Sequence, residues 1–379
     1  MYSLYFFSFK MFSLYIHIPF CAKKCNYCSF YIIPSFPGVE EMKDKYLQAL
    51  KEEILQKKHL LKDNKLYSIY FWGWTPSEFW IQRTKELLNF IKEQFDVSNL
   101  EEFSLELNPN PLNQTMEFIE NLKNEFWSWI SRFSVWIQSL EDEVLQKSGR
   151  SYDYKFIEKF LDSIDNKNYK LNLDFIAFGI EKNLQVFDDF LEKYKEKIDS
   201  LSNYTLELFS WSIWKTTYKV DEDKILESFW KYLDIIKKHN FHRYEISNFA
   251  RSKDTESKHN KVYWTWKDYL WIWTSASSFI QNTRYTNSFW IQRYLKKIYE
   301  YKEQKILSED NLYIEKIFLS LRTNMWLKLD ENIKKYLNIT KLENFIENWY
   351  IKNKENKIFF TDKWFLVYNY LITDLLKDI

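Results

Sequence analysis

Three cysteines, Cys21, Cys25 and Cys28, lie in one short run, HIPFCAKKCNYCSF, and they are all the cysteines of this 379-residue chain. Their C-x3-C-x2-C spacing directs three thiolates to a single soft metal centre. Three thiolates leave one position of a tetrahedral zinc ion open, or they hold a cubane iron–sulfur cluster and leave one iron free to bind a substrate or cofactor. Two alternatives stay open: a zinc site with His17 as the fourth ligand, and a purely structural trio.

The sequence around the cysteines, YIHIPFCAKKCNYCSF, resembles the radical S-adenosylmethionine (SAM) superfamily and, within it, the coproporphyrinogen dehydrogenase-like branch. In that branch the cysteine motif follows the first barrel strand, which here would be LYIHI. The resemblance implies a [4Fe-4S] cluster on the three cysteines, whose open iron chelates the amino and carboxylate groups of SAM. It also implies an electron donor, because one electron from the reduced cluster splits the sulfonium bond and releases a 5'-deoxyadenosyl radical.

Further SAM-site residues follow from the same resemblance. The family carries a GGGTP loop after its second strand, where bare backbone approaches the amino end of SAM. This chain has Trp72, Gly73, Trp74, Thr75 and Pro76 in that loop. The other matching positions fall at predicted strand ends or just after them and are polar: Tyr15, Glu106, Gln138, Arg150 and Asp174. A carboxylate such as Glu106 can accept hydrogen bonds from ribose hydroxyls, and Arg150 can pair with a carboxylate. Each residue taken alone is also common on a barrel rim.

The tryptophans are in excess where the chain is short of glycine. The sequence has 4 glycines and 17 tryptophans, whereas ordinary usage gives roughly 27 glycines. Several tryptophans stand where a turn or a close approach favours glycine, as in SVWIQS, LWIWTSASS, NMWLKL and DKWFLV. We hypothesise that the source organism reads these UGA codons as glycine and that they are translated here as tryptophan. The alternative is a protein that is truly rich in tryptophan.

Strands and helices alternate after the cysteines, which predicts a parallel sheet with helices outside it. The resemblance implies an α/β fold, an open, partial (β/α)6 barrel, with ligand groups at the carboxyl ends of its strands. The predicted strands are 13–18, 66–72, 102–107, 131–137, 170–176 and 203–208. The predicted helices are 39–61, 78–95, 111–124, 153–166, 184–198 and 222–239.

The chain divides into four predicted parts. Residues 1–10 precede a second methionine and are expected to be an upstream-start extension. The barrel is expected to span 11–250, and a connecting segment 251–304. Residues 305–379 resemble the mostly helical, winged-helix-like C-terminal domain of the HemN type. Winged helices can bind DNA, but this one is not strongly basic, so we expect a substrate lid or a docking surface.

The segment 241–279 resembles the HemW heme-chaperone family, including its HNxxYW motif, here His259, Asn260, Tyr263 and Trp264. A neutral imidazole is a natural axial ligand of heme iron, so His259 is the heme-ligand candidate, and the two aromatic residues could stack on a porphyrin. The alternative is a hydrogen-bonded surface histidine. His242 is a weaker candidate.

Two functions from different classes follow. One is a heme chaperone that binds heme and delivers it to a membrane respiratory protein. The other is an enzyme of porphyrin biosynthesis, the oxygen-independent coproporphyrinogen III dehydrogenase. The dehydrogenases that resemble this chain have a fourth cysteine where Phe30 stands, a longer region before the cluster, and neither YEISNFA nor HNxxYW. These features favour the chaperone, so we do not expect dehydrogenase activity, and SAM cleavage stays open.

The composition limits the partners. A net charge of +1 gives no overall attraction to nucleic acid or membranes, and no apolar run approaches the length of a membrane span. The first ten residues lack the order of a signal peptide. We therefore expect a cytoplasmic protein that contacts the inner face of the membrane transiently. Its expected partners are heme, a heme acceptor and an electron donor, and a homodimer stays open.

Overall fold

The computed structural model carries seventeen strands and thirteen α-helices in the part of the chain that it describes. That part is 11–377 without 62, 64, 74–78, 80, 110–129, 165–167, 180–181, 209–211, 218, 220 and 363–367. The strands are β1 (Met11–His17), β2 (Phe20–Cys21), β3 (Ile33–Pro34), β4 (Lys65–Trp72), β5 (Glu102–Leu107), β6 (Arg132–Gln138), β7 (Lys170–Ala177), β8 (Ser200–Thr205), β9 (His242–Arg243), β10 (Asn248–Ala250), β11 (Tyr269–Ile272), β12 (Ser277–Ile280), β13 (Thr283–Asn287), β14 (Tyr301–Ile306), β15 (Leu327–Lys328), β16 (Ile351–Lys354) and β17 (Lys357–Phe360).

The helices lie between these strands. They are α1 (Val39–Lys57), α2 (Ile81–Gln94), α3 (Asp142–Ser148), α4 (Tyr154–Ser163), α5 (Leu184–Lys193), α6 (Trp214–Thr217), α7 (Glu222–Lys238), α8 (Lys258–Trp264), α9 (Ile291–Leu295), α10 (Glu309–Ser320), α11 (Glu331–Lys335), α12 (Ile339–Glu347) and α13 (Tyr368–Leu375). Among the described residues, no helix combines the length and the apolar character needed to cross a membrane.

One large sheet dominates the fold. Its strand order is β14-β13-β12-β11-β1-β4-β5-β6-β7-β8-β10-β9. The pairs from β11 through β8 are all parallel, and the pairs at both edges are antiparallel. The six predicted barrel strands are the six consecutive parallel strands β1 and β4–β8, which confirms the partial barrel. The segment 251–304 also adds three strands, β11–β13, and the first residues of β14 to this sheet.

The predicted element bounds differ from the observed ones mainly at their ends. The strand 102–107 is as predicted, whereas the sixth strand lies at Ser200–Thr205 and not at 203–208. The reason is that the polar residues from Ser200 already pair with β7, and the last pair of this ladder is at Thr205, so Leu206, Glu207 and Leu208 follow the strand. The helix predicted at 184–198 ends at Lys193. The helix predicted at 111–124 lies outside the described residues.

Side chains alternate along the central strands and separate two environments. The outer face packs under the helices in the main apolar cluster, as Leu14 and Ile16 do. The inner face carries polar and aromatic side chains, among them Ser13, Tyr15 and His17 in β1. This alternation brings the polar residues of many strands together inside the barrel.

Helix α8 carries the HNxxYW motif and is fixed at the start of the parallel strands. Glu102, the first residue of β5, accepts hydrogen bonds from the Ser257 hydroxyl at 2.9 Å and from the backbone amides of Lys258 at 2.8 Å and His259 at 3.0 Å. A carboxylate at a helix N-terminus satisfies free amides and complements the helix dipole. Glu102 therefore anchors the motif inside the barrel.

The C-terminal part has its own apolar cluster, which includes Ile317, Leu321 and Ile358. A three-stranded antiparallel sheet, β15-β17-β16, lies beside its helices. These are the kinds of element that a winged-helix-like unit contains. The boundary at 305 stays a prediction.

Two tryptophans follow helices in the left-handed backbone region, Trp266 with φ 61° and Trp349 with φ 60°. Gly149 has the same position after α3, with φ 87°. In both Gly149 and Trp349, the amide bonds to the carbonyl three residues back, and the next amide bonds to the carbonyl five back. This ending favours glycine because a β-carbon is strained there. The backbone at 266 and 349 is therefore of the kind expected if these codons specify glycine.

Candidate functional site

The cysteine loop follows β1 and is buried. Cys21, Cys25 and Cys28 form no disulfide and are no more than 6% exposed. Burial raises the pKa of the Cys28 thiol to about 11, although Arg150 and a backbone hydrogen bond oppose the rise. A metal would therefore have to displace a proton to bind this thiol as thiolate. Among the described residues, no three or more histidine, cysteine or acidic side chains converge on the position of one metal ion.

His17 has partners other than the cysteines. Its Nδ1 lies 3.0 Å from the Tyr15 hydroxyl, and its ring lies 4.7 Å from the Trp273 ring and 5.7 Å from the Trp72 ring. Burial lowers the pKa of His17 to about 3, which keeps the ring neutral. These contacts give no support to a zinc site that uses His17.

A small cavity of about 280 Å³ lies beside Cys21 and Cys25, and Asn108, Arg150 and Tyr152 also line it. The Arg150 guanidinium donates to the Asn108 side-chain oxygen and, at 3.2 Å, to the Tyr27 hydroxyl. Its Nε is buried and has no hydrogen-bond partner among the described residues. The structure thus brings the predicted Arg150 next to two of the predicted cysteines.

Two buried carboxyl groups point into the barrel from β5 and β7. Asp174 accepts hydrogen bonds from Ser134 Oγ at 2.7 Å and Asn172 Nδ2 at 3.0 Å, and burial raises its pKa to about 6. Burial, together with the charge of Asp174, raises the pKa of Glu106 well above its usual value. Among the described residues, neither oxygen of Glu106 has a partner in normal hydrogen-bond geometry, although a hydrogen bond from the Trp136 indole opposes the rise of its pKa. Glu106 is therefore a buried acceptor with room for further donors.

Gln138 and Gly73 occupy special backbone positions at strand ends. Gln138 has φ 64°, and its side-chain oxygen accepts from the Tyr152 hydroxyl at 2.6 Å, while its Nε2 has no partner among the described residues. A β-carbon on Gly73, at φ 118°, would lie 2.3 Å from the Ile18 carbonyl oxygen. Position 73 therefore requires glycine. Trp74 and Thr75 lie outside the described residues.

Aromatic rings fill the interior next to β11, β1 and β4. Tyr15 stacks on Trp271 with 4.5 Å between ring centroids, and Trp72 lies 5.7 Å from Tyr15. Parallel register places Tyr15 opposite both Trp271 and Tyr70. Glycine at 72 and 271 would leave this space open, so the indoles stand where the resemblance places part of SAM.

His259 lies inside the barrel and is fully buried. The Ser68 hydroxyl donates to Ser13 at 2.7 Å and lies 2.8 Å from His259 Nδ1, while His259 Nε2 lies 2.7 Å from the Tyr263 hydroxyl. In this series of hydrogen bonds, the Ser68 hydroxyl oxygen accepts from His259 Nδ1–H. His259 Nε2 then accepts a hydrogen bond from the Tyr263 hydroxyl. Burial lowers the pKa of His259 to about 4. His259 is hydrogen-bonded, as the alternative holds, but it is buried and not at the surface. Both ring nitrogens, including the one needed for an iron ligand, already have partners.

A larger cavity of about 1390 Å³ lies between the ends of β6–β8, helices α7 and α8, and the C-terminal part. Its aromatic walls include Trp136, Tyr204, Phe229, Tyr263 and Trp264. Its polar lining includes Cys28, Lys215, Glu245, Asn260 and Arg322. His259 is not part of this lining. The volume exceeds that of ordinary small-molecule sites, so the cavity can take a large, flat and amphipathic ligand.

Sequence reasoning did not single out Glu245 or Arg322. Glu245 belongs to YEISNFA, which served only to distinguish two families, and Arg322 belongs to a helical pattern with apolar spacing. The two residues are far apart in sequence, and only the fold brings them to one cavity.

Comparisons with known proteins agree with this architecture. The radical SAM superfamily model matches residues 15–194. The heme chaperone HemW of Lactococcus lactis is 28% identical over 97% of this chain and 97% of its own length. HemW of Buchnera aphidicola subsp. Schizaphis graminum is 30% identical over 90% of this chain and 92% of its own length. The solved structure of coproporphyrinogen III oxidase (HemN) from Escherichia coli shares the fold, with a TM-score of 0.79 at 20% identity over 96% of this chain and 89% of that one. The chain therefore belongs to the HemW family of radical SAM proteins.

Proposed function

We propose that this protein is a heme chaperone of the HemW type, which binds heme in the large cavity and delivers it to a respiratory protein. The observation that carries the proposal is the near full-length similarity to relatives named heme chaperones. A cavity of about 1390 Å³ with aromatic walls supports it.

The lining of this cavity suits a tetrapyrrole. A porphyrin has two broad apolar faces and two carboxylate side chains on one edge. Tyr204, Phe229 and Trp264 offer aromatic surface on different walls, and Arg322 and Lys215 offer positive charge. Aromatic stacking and charge-assisted hydrogen bonds would then act on different parts of the ligand.

The three buried cysteines of one loop are the ligands that we propose for a [4Fe-4S] cluster with one open iron. When bound, such a cluster supplies the electron that splits SAM. Residues of the chain would bind and orient SAM. Arg150 would provide a positive charge beside Cys21 and Cys25 in the small cavity, and Glu106 would accept hydrogen bonds from ribose hydroxyls. Those donors would favour the ionised form of Glu106 and reverse its raised pKa.

The indole side chains beside Tyr15 and His17 occupy space that the family resemblance assigns to SAM. We infer that the native protein has glycine at 72, 271 and 273, which would empty the space beside Tyr15 and His17. Glycine at 136 would instead remove the ring that stacks on Tyr204 at the wall of the large cavity. The left-handed backbone at Trp266 and Trp349 supports the same reading of these codons. The acceptor of heme, the electron donor and the oligomeric state stay open in this proposal.

The second candidate function is the coproporphyrinogen III dehydrogenase, which the shared fold with HemN favours. Phe30 stands against it, since the resembling dehydrogenases have cysteine there. Phe30 is 37% exposed, lines the large cavity and packs 4.9 Å from the Trp72 ring.

One experiment separates the two functions. Protein reconstituted without oxygen is incubated with coproporphyrinogen III, SAM and a reductant, and separately with heme. We expect a saturable Soret band with heme and no protoporphyrinogen from the incubation. Formation of protoporphyrinogen by the reconstituted protein would instead support the dehydrogenase.

A further inference from the structure

Glu245 and Arg322 meet at the wall of the large cavity although they belong to different parts of the chain. Glu245 lies between β9 and β10, and Arg322 follows α10. An isolated bridge pairs Glu245 with Thr323, and the Asn324 amide donates to the Tyr244 carbonyl at 3.0 Å. These backbone contacts fix the two side chains on neighbouring segments, and both line the cavity.

Arg322 is held by aromatic rings and not by an acidic residue. Its guanidinium carbon lies 3.8 Å from the Phe318 ring centroid, 4.6 Å from that of Tyr368 and 5.8 Å from that of Trp264. Its Nη2 donates to the Asn369 side-chain oxygen at 2.9 Å, whereas its buried Nε has no partner among the described residues. Among the described residues, no carboxylate forms an ion pair with Arg322. A fixed guanidinium with a free donor is prepared to bind an anion.

Glu245 supplies a second unpaired atom. The residue is 3% exposed, and its Oε1 has no hydrogen-bond partner among the described residues. Burial raises the pKa of Glu245 to about 7, against the opposing effects of Asn248 and Arg243. A carboxyl group with a pKa of about 7 is partly protonated at neutral pH, so it can donate a hydrogen bond to an acceptor. A buried polar atom without a partner is uncommon in folded proteins, and a ligand is one way to satisfy it.

We propose that Arg322, with Glu245 beside it, forms a subsite for a carboxylate substituent of the ligand in the large cavity. The ligand class is a tetrapyrrole with propionate-like side chains, so this inference rests on the proposed heme-binding function. Trp264 joins the subsite to the motif helix, because its ring faces both the guanidinium and the cavity. One acidic side chain of the ligand would therefore lie at the C-terminal wall while the macrocycle lies along the aromatic walls.

A purely structural role is the competing explanation. A stacked arginine can join two segments by packing alone. Loss of such a residue would weaken the binding of every ligand in the cavity to a similar extent. Loss of a carboxylate subsite would weaken only ligands that carry a free carboxylate.

The test compares heme with heme dimethyl ester, whose propionates are blocked, in absorbance titrations of the full chain. We expect the unaltered protein to bind heme at least about tenfold more tightly than the ester. Arg322→Gln should abolish this preference by weakening heme alone, and Arg322→Lys, which keeps the charge, should retain part of it. Arg251→Gln is the matched control, since Arg251 also stacks on a ring, 4.2 Å from Phe241, but does not line the cavity.

The outcomes are distinct. Equal binding of heme and ester by the unaltered protein, or equal weakening of both in Arg322→Gln, would overturn the subsite and leave heme binding intact. If Arg322→Gln does not fold, Arg322→Lys decides, because the subsite requires it to keep a preference for heme over the ester. If the unaltered protein binds neither ligand, the proposed function fails and the subsite fails with it.

Discussion

The barrel interior has two regions beside different strands of one sheet, and aromatic residues occupy these regions differently. Beside β11, β1 and β4, the rings come from adjacent strands in register, so Tyr15 and Trp271 stack at 4.5 Å. Beside β6–β8, Trp136 and Tyr204 stack on one wall, with 5.4 Å between centroids, and Trp264 lies in another element. Cross-strand neighbours fill the space between them, whereas rings on opposite walls leave a cavity.

This comparison separates two binding sites. The filled region is where the family resemblance places SAM, and the open region is where we propose heme. The indoles at 72, 271 and 273 affect the first region directly. The motif residues Tyr263 and Trp264 line the second. The two sites should therefore respond to different substitutions.

The largest expected effect is at the cysteines. Cys25→Ala removes one of three cluster ligands, so the iron content after anaerobic reconstitution should fall from about four atoms per chain to near zero. Iron analysis and the visible absorbance of the cluster measure this. Ser29→Ala, which alters the same loop but no thiol, is the control and should keep its iron. An unchanged iron content in Cys25→Ala would reject the cluster assignment.

The next effect concerns the filled region. A variant with Trp72→Gly, Trp271→Gly and Trp273→Gly should bind SAM at least about tenfold more tightly, a gain of about 1.4 kcal/mol, because three indoles leave its site. Equilibrium dialysis with labelled SAM measures the affinity. Trp264→Gly is the control, since this indole lines the other cavity, and it should give no gain. A triple variant that keeps its iron and binds SAM no better would show that the indoles do not obstruct SAM.

The fold was predictable where the pattern was local. The strand at 102–107 was predicted with its observed bounds, and the family resemblance of the cysteine motif implied its place after β1. Strand β11, which lies between β1 and β12 in the sheet, was missed because LWIW reads as part of a loop once glycines are assumed. The place of His259 depends on Glu102 and Ser68, which are remote in sequence, so no local pattern could show that it is buried. The Glu245–Arg322 pair could not be predicted for the same reason, because the two residues are remote in sequence.

The smallest effect tests the glycine hypothesis away from both sites. Trp349 is 72% exposed and has φ 60°, so Trp349→Gly should relieve strain of roughly 1–2 kcal/mol, against an entropic cost of roughly 0.5–1 kcal/mol for glycine. We expect a net stabilisation of about 0.5 kcal/mol in urea unfolding. The adjacent Tyr350→Gly, whose backbone is outside the left-handed region, should destabilise the protein. Loss of stability in Trp349→Gly would argue that tryptophan belongs at this position.

The most direct measurement of the central claim is a heme titration, followed at the Soret band, of the unaltered protein, Trp264→Ala and Trp349→Ala. The account predicts one saturable heme per chain in the unaltered protein and in Trp349→Ala, and clearly weaker binding in Trp264→Ala, since Trp264 lines the cavity. Absence of saturable binding, or equal binding by all three proteins, would contradict heme binding in this cavity.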